Sequence, residues 1–388
     1  MHRTHRLLVV PAVAALVVGL LSAGGPAGAG SGRPDHGPKH RPPGPNLVVM
    51  TQNLYLGSPL DAALAAQTGP EFVAATAQIY ATAVGSDFPR RAEAIADTIA
   101  RKDPDLIGLQ EVSRWTATPL QAGANPPSYD FLEILLDELA ERGLSYRVAG
   151  VSDNADIGPV PLVAPQFGCL AVTSPTSFDC AVALQDRDVI LENTRTRHLD
   201  VGPGVSGRYA AQQTFPIPDS GGATIDFGRG WVYVDATLRG TRFRFLNTHL
   251  EVGEFAAVQE AQAAEFLAGP ARTSRQLVAT GDFNSPADPR TSTTSTYADL
   301  TRFWFDDAWW VNRRAPGYTC CQADRLDNPV SRLRTRIDLV LTRGIRKTHW
   351  AKVVGDRPIG TTAPLWASDH AGVVAGVQLR ARHRHGHR

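Results

Sequence analysis

The chain has 388 residues and a formal net charge of +1 at pH 7. Without Arg3 and Arg6 the charge falls to −1, and without the four arginines of residues 380–388 it falls to −5. The remaining body is slightly acidic, which argues against a broad electrostatic grip on nucleic acid and suits an acidic site that recruits a metal ion. Residues 46–379 are enough for one large domain with a substantial core.

The N-terminal residues have the pattern of an export signal. A polar, basic start is followed by an apolar run from Leu7 to Leu21, and small residues at positions 27–29 offer a cleavage site. The run is too short to span a bilayer comfortably, so we expect residues 1–29 to be removed as a signal peptide. The expected protein is secreted, extracellular and without a stable membrane anchor.

Polar segments flank the expected folded domain of residues 46–379. Residues 30–45 are rich in Pro, Gly, His and basic residues, which predicts a disordered leader. Residues 380–388 form a basic His/Arg tail, which we expect to be a solvated terminus.

Strand-like and helix-like patterns alternate along the domain. Strands are expected at residues 47–52, 106–109, 146–151, 180–184, 231–238, 243–247, 277–280, 337–341 and 372–379. Helices are expected at residues 91–101, 131–142 and 254–267, where apolar residues recur at helical spacing. Arg239-Gly240 predicts the turn of a β-hairpin. Residues 153–167 and 199–223 are rich in Gly and Pro, and we expect them to be surface loops.

Cysteines in an exported chain indicate disulfides. Cys169 and Cys180 flank a loop-like stretch and are expected to bond to each other. Cys320 and Cys321 are adjacent in sequence, and a vicinal disulfide, pairing elsewhere or free thiols are all open for them. The regular spacing of a Cys₄ zinc site is absent from the sequence.

Short polar sequences stand where several apolar runs end. Asn53 ends the first predicted strand, Glu111 follows residues 106–109, and His249 follows residues 242–246. Each alone is also compatible with a turn, a surface carboxylate or a structural imidazole. Strands that end together at one sheet edge would gather them, with Glu111 as an oxygen ligand of Mg²⁺, Asn53 beside it and His249 as a donor to a phosphoryl oxygen.

Gly281-Asp282-Phe283-Asn284 is the most specific of these sequences. Asp282 and Asn284 are two apart, so they face the same side of an extended chain. Asp282 could orient and deprotonate a water while Asn284 holds a phosphate, although an Asx turn would also explain the pair.

Asp338 lies inside an apolar run and needs a partner if it is buried. Arg334 or Arg336 could neutralise it, or it could serve a histidine. His370, which follows Asp369, is that histidine in our interpretation, and Asp338 would hold it protonated or in the correct tautomer.

The four carboxylates among these candidate residues indicate a bound cation. Glu111, Asp282, Asp338 and Asp369 could not face an anionic phosphate without a cation to offset their repulsion. The set therefore predicts a divalent metal, Mg²⁺ first, with Mn²⁺ or Ca²⁺ as alternatives.

The chain resembles the endonuclease/exonuclease/phosphatase superfamily, whose members include DNase I-like nucleases, inositol-phosphate phosphatases and bacterial sphingomyelinases. The resemblance covers residues 47–379 and rests on these sequences: Gln52-Asn53, Leu109-Gln110-Glu111-Val112, Asn247-Thr248-His249-Leu250, Gly281-Asp282-Phe283-Asn284, Arg336-Ile337-Asp338 and Ser368-Asp369-His370. It implies an α/β (α+β) fold, a four-layer sandwich of two packed mixed β-sheets flanked by helices. Tyr55 and Ser113 depart from some branches, which carry an acid and an Arg at those positions.

The resemblance also implies roles for individual residues. The implied metal ligands are Glu111, Asn53 and Asp369, and the implied catalytic residues are Asp282, Asn284, His249, His370 and Asp338. In these roles Asp282 activates the water, Asn284 holds the phosphate and His249 stabilises the phosphoryl oxygens. His370 is the acidic partner, oriented by Asp338.

The expected function is that of a secreted Mg²⁺-dependent phosphodiesterase with in-line attack of water on phosphorus. Nucleic acid and phospholipid head groups, the latter in a sphingomyelinase-type enzyme, compete as substrates, and no obligate protein partner is evident. A non-catalytic binding protein on the same scaffold is the alternative from another class. The aromatic residues 303–305 and 309–310 are expected in the core rather than on a lipid-contacting surface.

Overall fold

The computed structural model describes residues 44–174, 177–313, 315–360 and 364–381, apart from the side chains of residues 173 and 174. The expected signal peptide, residues 30–43 of the leader and residues 382–388 of the tail lie outside the described residues.

The described chain contains strands and helices in the following order. The strands are β1 (Asn46–Asn53), β2 (Leu106–Gln110), β3 (Arg114–Pro119), β4 (Tyr129–Asp130), β5 (Tyr146–Pro161), β6 (Val172–Ser174), β7 (Ser177–Phe178), β8 (Cys180–Asn193), β9 (Leu199–Val201), β10 (Val205–Arg208), β11 (Gln213–Pro216), β12 (Thr224–Phe227), β13 (Gly230–Leu238), β14 (Thr241–His249), β15 (Gln276–Asp282), β16 (Asp306–Asp307), β17 (Asp338–Arg343), β18 (Lys347–Val354) and β19 (Gly372–Gln378). The α-helices are α1 (Asp61–Leu64), α2 (Gly69–Gly85), α3 (Phe88–Lys102), α4 (Phe131–Glu141), α5 (Ala256–Ala268) and α6 (Thr296–Phe303). Short 3₁₀ helices occupy Pro165–Phe167, Gly253–Phe255 and Ala308–Asn312.

Most strands belong to two mixed sheets. The first has the order β18-β19-β1-β2-β8-β3-β4, with β5 paired to β8, and its strands β1 and β2 are parallel. The second has the order β10-β13-β14-β15-β17-β16, with β9 paired to β13, and its strands β14 and β15 are parallel. Each sheet thus contains a parallel pair whose carboxyl ends lie at one edge.

Alternation along the strands builds the layers around these sheets. In β1, Val49 packs in the core between the two sheets, whereas Met50 packs with Ile95 of α3 on the outer face of the first sheet. On the outer face of the second sheet, Leu246 packs with Phe266 of α5. The order helices, sheet, sheet, helices confirms the expected four-layer sandwich.

The predicted hairpin is confirmed. β13 and β14 pair antiparallel down to Leu238 and Thr241, and Arg239 and Gly240 form the turn between them. Both turn residues have positive φ, 49° and 79°, as a two-residue hairpin turn requires.

The expected surface loop at residues 153–167 is wrong over most of its length. β5 continues to Pro161 and stays paired with β8 along that length. Register shifts between Asp153 and Ala155, and between Ile157 and Val160, absorb residues that do not fit a regular ladder. The Gly and Pro content therefore marks bulges in a long strand.

Several other boundaries also differ from the sequence-based expectation. β8 extends to Asn193 because its charged middle, residues 186–188, pairs with β5, although it breaks the apolar pattern. Helix α2 was not predicted at all, although Thr68 caps it by accepting a hydrogen bond from the backbone N–H of Glu71. Residues 199–223, expected as a loop, contain the short strands β9, β10 and β11.

The folded domain extends past its expected limits at both ends. The backbone N–H of Leu379 donates to the carbonyl of Pro45 at 3.0 Å, so Pro45 belongs to the fold and not to the leader. Arg380, assigned to the tail, donates from Nε to the carbonyl of Gly344 at 2.8 Å. Among the described residues, no helix has the length and apolar character needed to cross a membrane.

The expected core position of the aromatic residues is only partly correct. Phe305 and Trp309 are buried, but Phe303, Trp304 and Trp310 are 74%, 46% and 49% exposed. Phe303 and Trp304 lie where α6 ends, and only one side of such a helix can face the core. For these three residues the expected core position is wrong.

The disulfide between Cys169 and Cys180 is confirmed, with an S–S distance of 2.04 Å and both residues buried. Cys320 and Cys321 are joined to each other, which selects the vicinal disulfide from the alternatives left open by the sequence.

Candidate active site

The polar ends of four strands meet at one edge of the sandwich. Asn53 ends β1 and Glu111 follows β2 in the first sheet, while β14 and β15 of the second sheet end at His249 and Asp282. Because both pairs of strands are parallel, their last residues lie side by side. The antiparallel strand β17 begins here, so His249, Asp282 and Asp338 are consecutive cross-strand neighbours.

Asn53 connects the two sheets at this edge. Its side-chain Nδ2 donates to Glu111 Oε1 at 3.0 Å and to Asp282 Oδ2 at 3.1 Å. The other oxygen of Glu111 accepts the backbone N–H of Leu56 at 2.6 Å. Two carboxylates from different sheets are thus held around one amide.

Residues next to this bridge have left-handed backbone conformations. Tyr55, Glu111 and Asn284 have φ values of 64°, 54° and 48°. Such values are uncommon for residues other than glycine and concentrate at functional sites. Each of these residues lies at the end of a strand, where the chain turns to present polar groups to the cleft.

His370 is paired with Asp338, as the sequence predicted. The distance from His370 Nδ1 to Asp338 Oδ2 is 2.8 Å, and both residues are buried. Burial alone would lower the pKa of His370, but the carboxylates of Asp338, Asp369 and Asp282 outweigh it and raise that pKa well above its usual value. The imidazole is therefore protonated at neutral pH.

The arginines considered as alternative partners of Asp338 do not contact it. Arg336 Nη2 instead lies 2.7 Å from Asp307 Oδ2. Arg334 donates to the carbonyl of Leu333. His370 is thus the partner of Asp338 Oδ2, whereas Asp338 Oδ1 is buried without a hydrogen-bond partner among the described residues.

His249 has the opposite electrostatic environment. Burial, followed by the positive charges of Arg229 and His370, lowers the pKa of His249 well below its usual value, so this imidazole is neutral. Its Nδ1 lies 3.1 Å from Arg229 Nη1, and its Nε2 lies 3.1 Å from Asn284 Nδ2.

Asp282 lies between the two imidazoles. Its Oδ2 is 3.5 Å from His249 Nε2 and 3.7 Å from His370 Nδ1. Burial, together with the charge of Asp338, raises the pKa of Asp282 to about 6. A carboxylate with such a pKa is suited to accept a proton from water near neutral pH.

The part of the site around Glu111 carries excess negative charge. Burial, followed by the charge of Asp369, raises the pKa of Glu111. Asp369 Oδ1 is 4.0 Å from His370 Nε2, which places this carboxylate on the far side of the imidazole from Asp338. Oxygen donors of this kind are the ligands that Mg²⁺ and related hard cations prefer, so the residues present fit a divalent ion.

The structure brings every predicted site residue into one connected cluster, namely Asn53, Glu111, His249, Asp282, Asn284, Asp338, Asp369 and His370. Gln110 and Asn247, which stand in the same polar sequences, link the sheets behind it, because Gln110 Nε2 donates to Asn247 Oδ1 at 2.6 Å.

Several residues behind His249 were missed by sequence reasoning. The most important is Arg229, which is buried against His249 and pairs with Glu251 at 3.3 Å. Asp186 is also buried, and burial followed by the charge of Glu111 raises its pKa to about 7. The signal that could have identified Arg229 is its position between Gly228 and Gly230, directly before a predicted strand.

The glycines beside Arg229 are required by close packing. A Cβ on Gly228 would lie 2.3 Å from the carbonyl oxygen of Asn154, and a Cβ on Gly230 would lie 2.7 Å from the carbonyl oxygen of Gly207. Only glycine allows this segment to approach its neighbours so closely, and the approach brings the guanidinium under His249.

Arg91 was also missed as a supporting residue. It is fully buried at the start of α3, and its Nη1 donates to the carbonyls of Leu54 and Ala367 at 2.6 Å and 3.1 Å. It thereby joins the segment after Asn53 to the segment before Asp369. Its spacing of four from Ile95 would have placed it on the buried face of the predicted helix.

A four-layer α/β sandwich with a cleft of carboxylates, amides and imidazoles at one edge defines a phosphoesterase type of protein. The model of the Endonuclease/Exonuclease/phosphatase family matches residues 50–370, so the chain belongs to that family. Members of this family are hydrolases that act on phosphate esters and generally depend on divalent metals. No functionally curated protein matches the sequence.

Solved structures agree with this assignment. A family protein from Leptotrichia buccalis C-1013-b is 14% identical, with a TM-score of 0.50 over 85% of this chain and 99% of that chain. A family protein from Bacteroides thetaiotaomicron is 16% identical, with a TM-score of 0.51 over 89% of this chain and 99% of that chain. At these identities the similarity shows the fold.

Proposed function

We propose that the protein is a secreted, divalent-metal-dependent phosphodiesterase that directs a water molecule in line at phosphorus. The observation that carries the proposal is the row His249, Asp282, Asp338 and His370, in which one carboxylate lies between a neutral and a protonated imidazole. The expected signal peptide and the Cys169–Cys180 disulfide support export to an oxidising compartment.

Glu111, Asn53 and Asp369 would hold the metal in this proposal. Raised pKa values at Glu111 and Asp369, each due first to burial, support it, because a divalent cation would relieve the repulsion between the two carboxylates. When bound, the ion supplies positive charge that offsets the negative charge of a phosphate ester.

The protein side chains divide the remaining work. Asp282 orients a water molecule and accepts its proton. Asn284 and the neutral His249 hydrogen bond to nonbridging phosphoryl oxygens, whose charge grows toward the transition state. His370 gives the proton on Nε2 to the leaving oxygen, and Asp338 holds the ring by its Nδ1–H.

A groove whose lining includes residues 286–291 and 334–336, close in sequence to Asn284 and Asp338, supports a polyanionic substrate. It has a volume of about 470 Å³, and its lining includes Arg290, Arg313, Arg334, Trp310 and Tyr318, together with Asp288, which pairs with Arg290 at 2.7 Å. Guanidinium groups suit phosphates, and exposed aromatic rings suit stacking of unpaired bases. Single-stranded nucleic acid is therefore the leading substrate class.

A second candidate is a phospholipid head group at a membrane surface. The exposed Phe303 and Trp304 support it, because aromatic side chains are favoured at lipid–water interfaces. In this candidate the reaction is the same, and only the two groups esterified to the phosphate differ.

A substrate panel tests these proposals. Single-stranded DNA, RNA, plasmid DNA, sphingomyelin liposomes and a model phosphodiester are each incubated with enzyme, with and without EDTA. We expect turnover that EDTA abolishes and that added Mg²⁺ or Mn²⁺ restores. Undiminished turnover in EDTA would remove the metal from the proposal, and hydrolysis of liposomes alone would replace the leading substrate class by the second.

A further inference from the structure

Residues 319–322 are hydrogen bonded both to the strand that carries Asp338 and to the residues on either side of His370. Thr319 Oγ1 accepts the backbone N–H of Asp338 at 3.2 Å, and the carbonyl of Thr319 accepts the N–H of Ala371 at 2.8 Å. The backbone N–H of Gln322 donates to the carbonyl of Asp369 at 2.8 Å. The two cysteines in this segment are thereby held against the histidine.

The cysteine sulfurs lie at the reactive side of His370. Cys321 Sγ is 3.8 Å from His370 Nε2, the nitrogen that is not bonded to Asp338. The sulfurs of Cys320 and Cys321 and a ring nitrogen of His370 all lie within 4.8 Å of one another. Cys321 is exposed, so small molecules can reach the pair from solvent.

We propose that reduction of the Cys320–Cys321 disulfide creates a Zn²⁺ site from both cysteine thiolates and His370, and that Zn²⁺ bound there blocks the phosphoesterase site. Two thiolates and an imidazole are the donors that zinc prefers, unlike the oxygen donors around Glu111. The carboxylate of Asp338 on the other ring nitrogen completes the carboxylate–histidine–metal arrangement common in zinc proteins.

The chemistry balances with an external reductant, either a dithiol or a phosphine. The reductant supplies two electrons, the bond between the cysteine sulfurs breaks, and each sulfur takes up a proton, which comes from the thiols of a dithiol or, with a phosphine, from one water molecule that also supplies the oxygen of the phosphine oxide. A dithiol becomes its own disulfide, and a phosphine becomes a phosphine oxide. Zinc binding then releases both thiol protons and the proton on His370 Nε2 to solvent.

Zinc would inhibit the enzyme because it and the reaction both require His370 Nε2. His370 Nε2 is the donor that the proposed function assigns to the leaving oxygen, and a nitrogen bound to zinc has no proton to give. The inhibition therefore rests on the proposed function, whereas the zinc site itself does not.

Zinc binding to wild type and to C320S/C321S, each oxidised or reduced with a phosphine, tests the site. Bound Zn²⁺ is measured after equilibrium dialysis of the full chain. Reduced wild type is expected to bind about one more equivalent than oxidised wild type, and the double variant the same amount in both states. No gain on reduction in wild type, or an equal gain in the double variant, would overturn the proposal.

Cys169 and Cys180 are present in all of these samples, so any zinc that they bind appears in the double variant as well. H370Q tests the third ligand, and we expect it to weaken the additional zinc site by about tenfold or more. An unchanged affinity in H370Q would exclude His370 from the site.

Co²⁺ gives a second readout that does not depend on activity. Bound in place of zinc, it should show a thiolate-to-metal charge-transfer band only in reduced wild type. Absence of that band in a sample that has gained an equivalent of metal would mean that the sulfurs are not ligands.

Activity completes the experiment. Stoichiometric Zn²⁺ is expected to lower the Mg²⁺-supported rate of reduced wild type at least tenfold and to leave that of C320S/C321S unaffected. Equal sensitivity would contradict the blocking role. If no phosphodiester is turned over under any condition, the proposed function fails, while the dialysis and Co²⁺ measurements still decide the zinc site.

Discussion

The two histidines on either side of Asp282 occupy opposite electrostatic environments. His249 lies against Arg229, and burial plus that charge keep its pKa well below the usual value. His370 lies among Asp338, Asp369 and Asp282, whose charges overcome burial and raise its pKa well above the usual value. Both imidazoles are almost fully buried, so the neighbouring charges produce the difference.

The difference shows how one residue type can serve two purposes in one cleft. A neutral imidazole can donate one hydrogen bond and accept another, whereas an imidazolium can release a proton. Asp282 separates them and is itself a candidate base. The comparison therefore predicts that charge changes on each side have separate and opposite effects on the pH profile.

The largest expected effect is that of D282N, which removes the carboxylate between the two histidines. We expect kcat to fall by about 10²–10⁴-fold, because proton removal from water is lost. Steady-state kinetics with saturating metal measures the change. D137N, which alters an exposed carboxylate on α4, is the matched control, and an equal loss there would show that the effect is not specific to the site.

The next effect is that of D338N on the His370 side. Activity that needs protonated His370 is present below its pKa and lost as pH rises through it. Because the charge of Asp338 helps to raise that pKa, D338N should move the alkaline loss of kcat/KM to lower pH, and lower the maximal rate by about tenfold or more.

A pH–rate profile from acidic to alkaline pH measures the shift in D338N. An alkaline limb that stays at the wild-type position would contradict the assignment of that limb to His370. Thermal unfolding of the same variant separates loss of the pair from loss of the fold.

A smaller effect is expected on the His249 side. Activity that needs neutral His249 is lost as pH falls through its pKa. R229M removes a positive charge that lowers this pKa and favours the ionised form of Asp282, so the acidic loss of activity, to which both groups contribute, should move to higher pH, with about a tenfold decrease in kcat/KM.

R229M also leaves the buried Glu251 without its partner, which can cost stability. R229M/E251Q removes both charges and is the control for that cost. A double variant that folds as stably as wild type, but whose acidic loss of activity still occurs at higher pH than in wild type, would support the electrostatic role of Arg229. A wild-type limb in both variants would contradict it.

The site was largely predictable because its residues stand at strand ends. Asn53, Glu111, His249 and Asp282 each follow an apolar run, and strands that end at one edge must bring such residues together. The cost of burying an unpartnered carboxylate predicted a partner for Asp338, with His370 as one of the alternatives. The roles of these residues remain proposals that the variants above test.

Other features were less predictable because their reasons lie in tertiary contacts. The charged middle of β8 breaks the apolar pattern, yet it is a strand because the distant strand β5 pairs with it. The position of Arg229 between two glycines is a weak local signal, and only the close approach of Gly228 and Gly230 to other segments brings it to His249.

By itself, the amino-acid sequence determined the mixed α/β character, the strand ends that carry site residues and the inventory of polar groups, because alternation and turn chemistry act between near neighbours in the chain; the layer order came from the family resemblance. Tertiary structure decided which imidazole carries a proton and which sulfurs face it, because charge states depend on burial and on groups from distant segments that share one low-dielectric space.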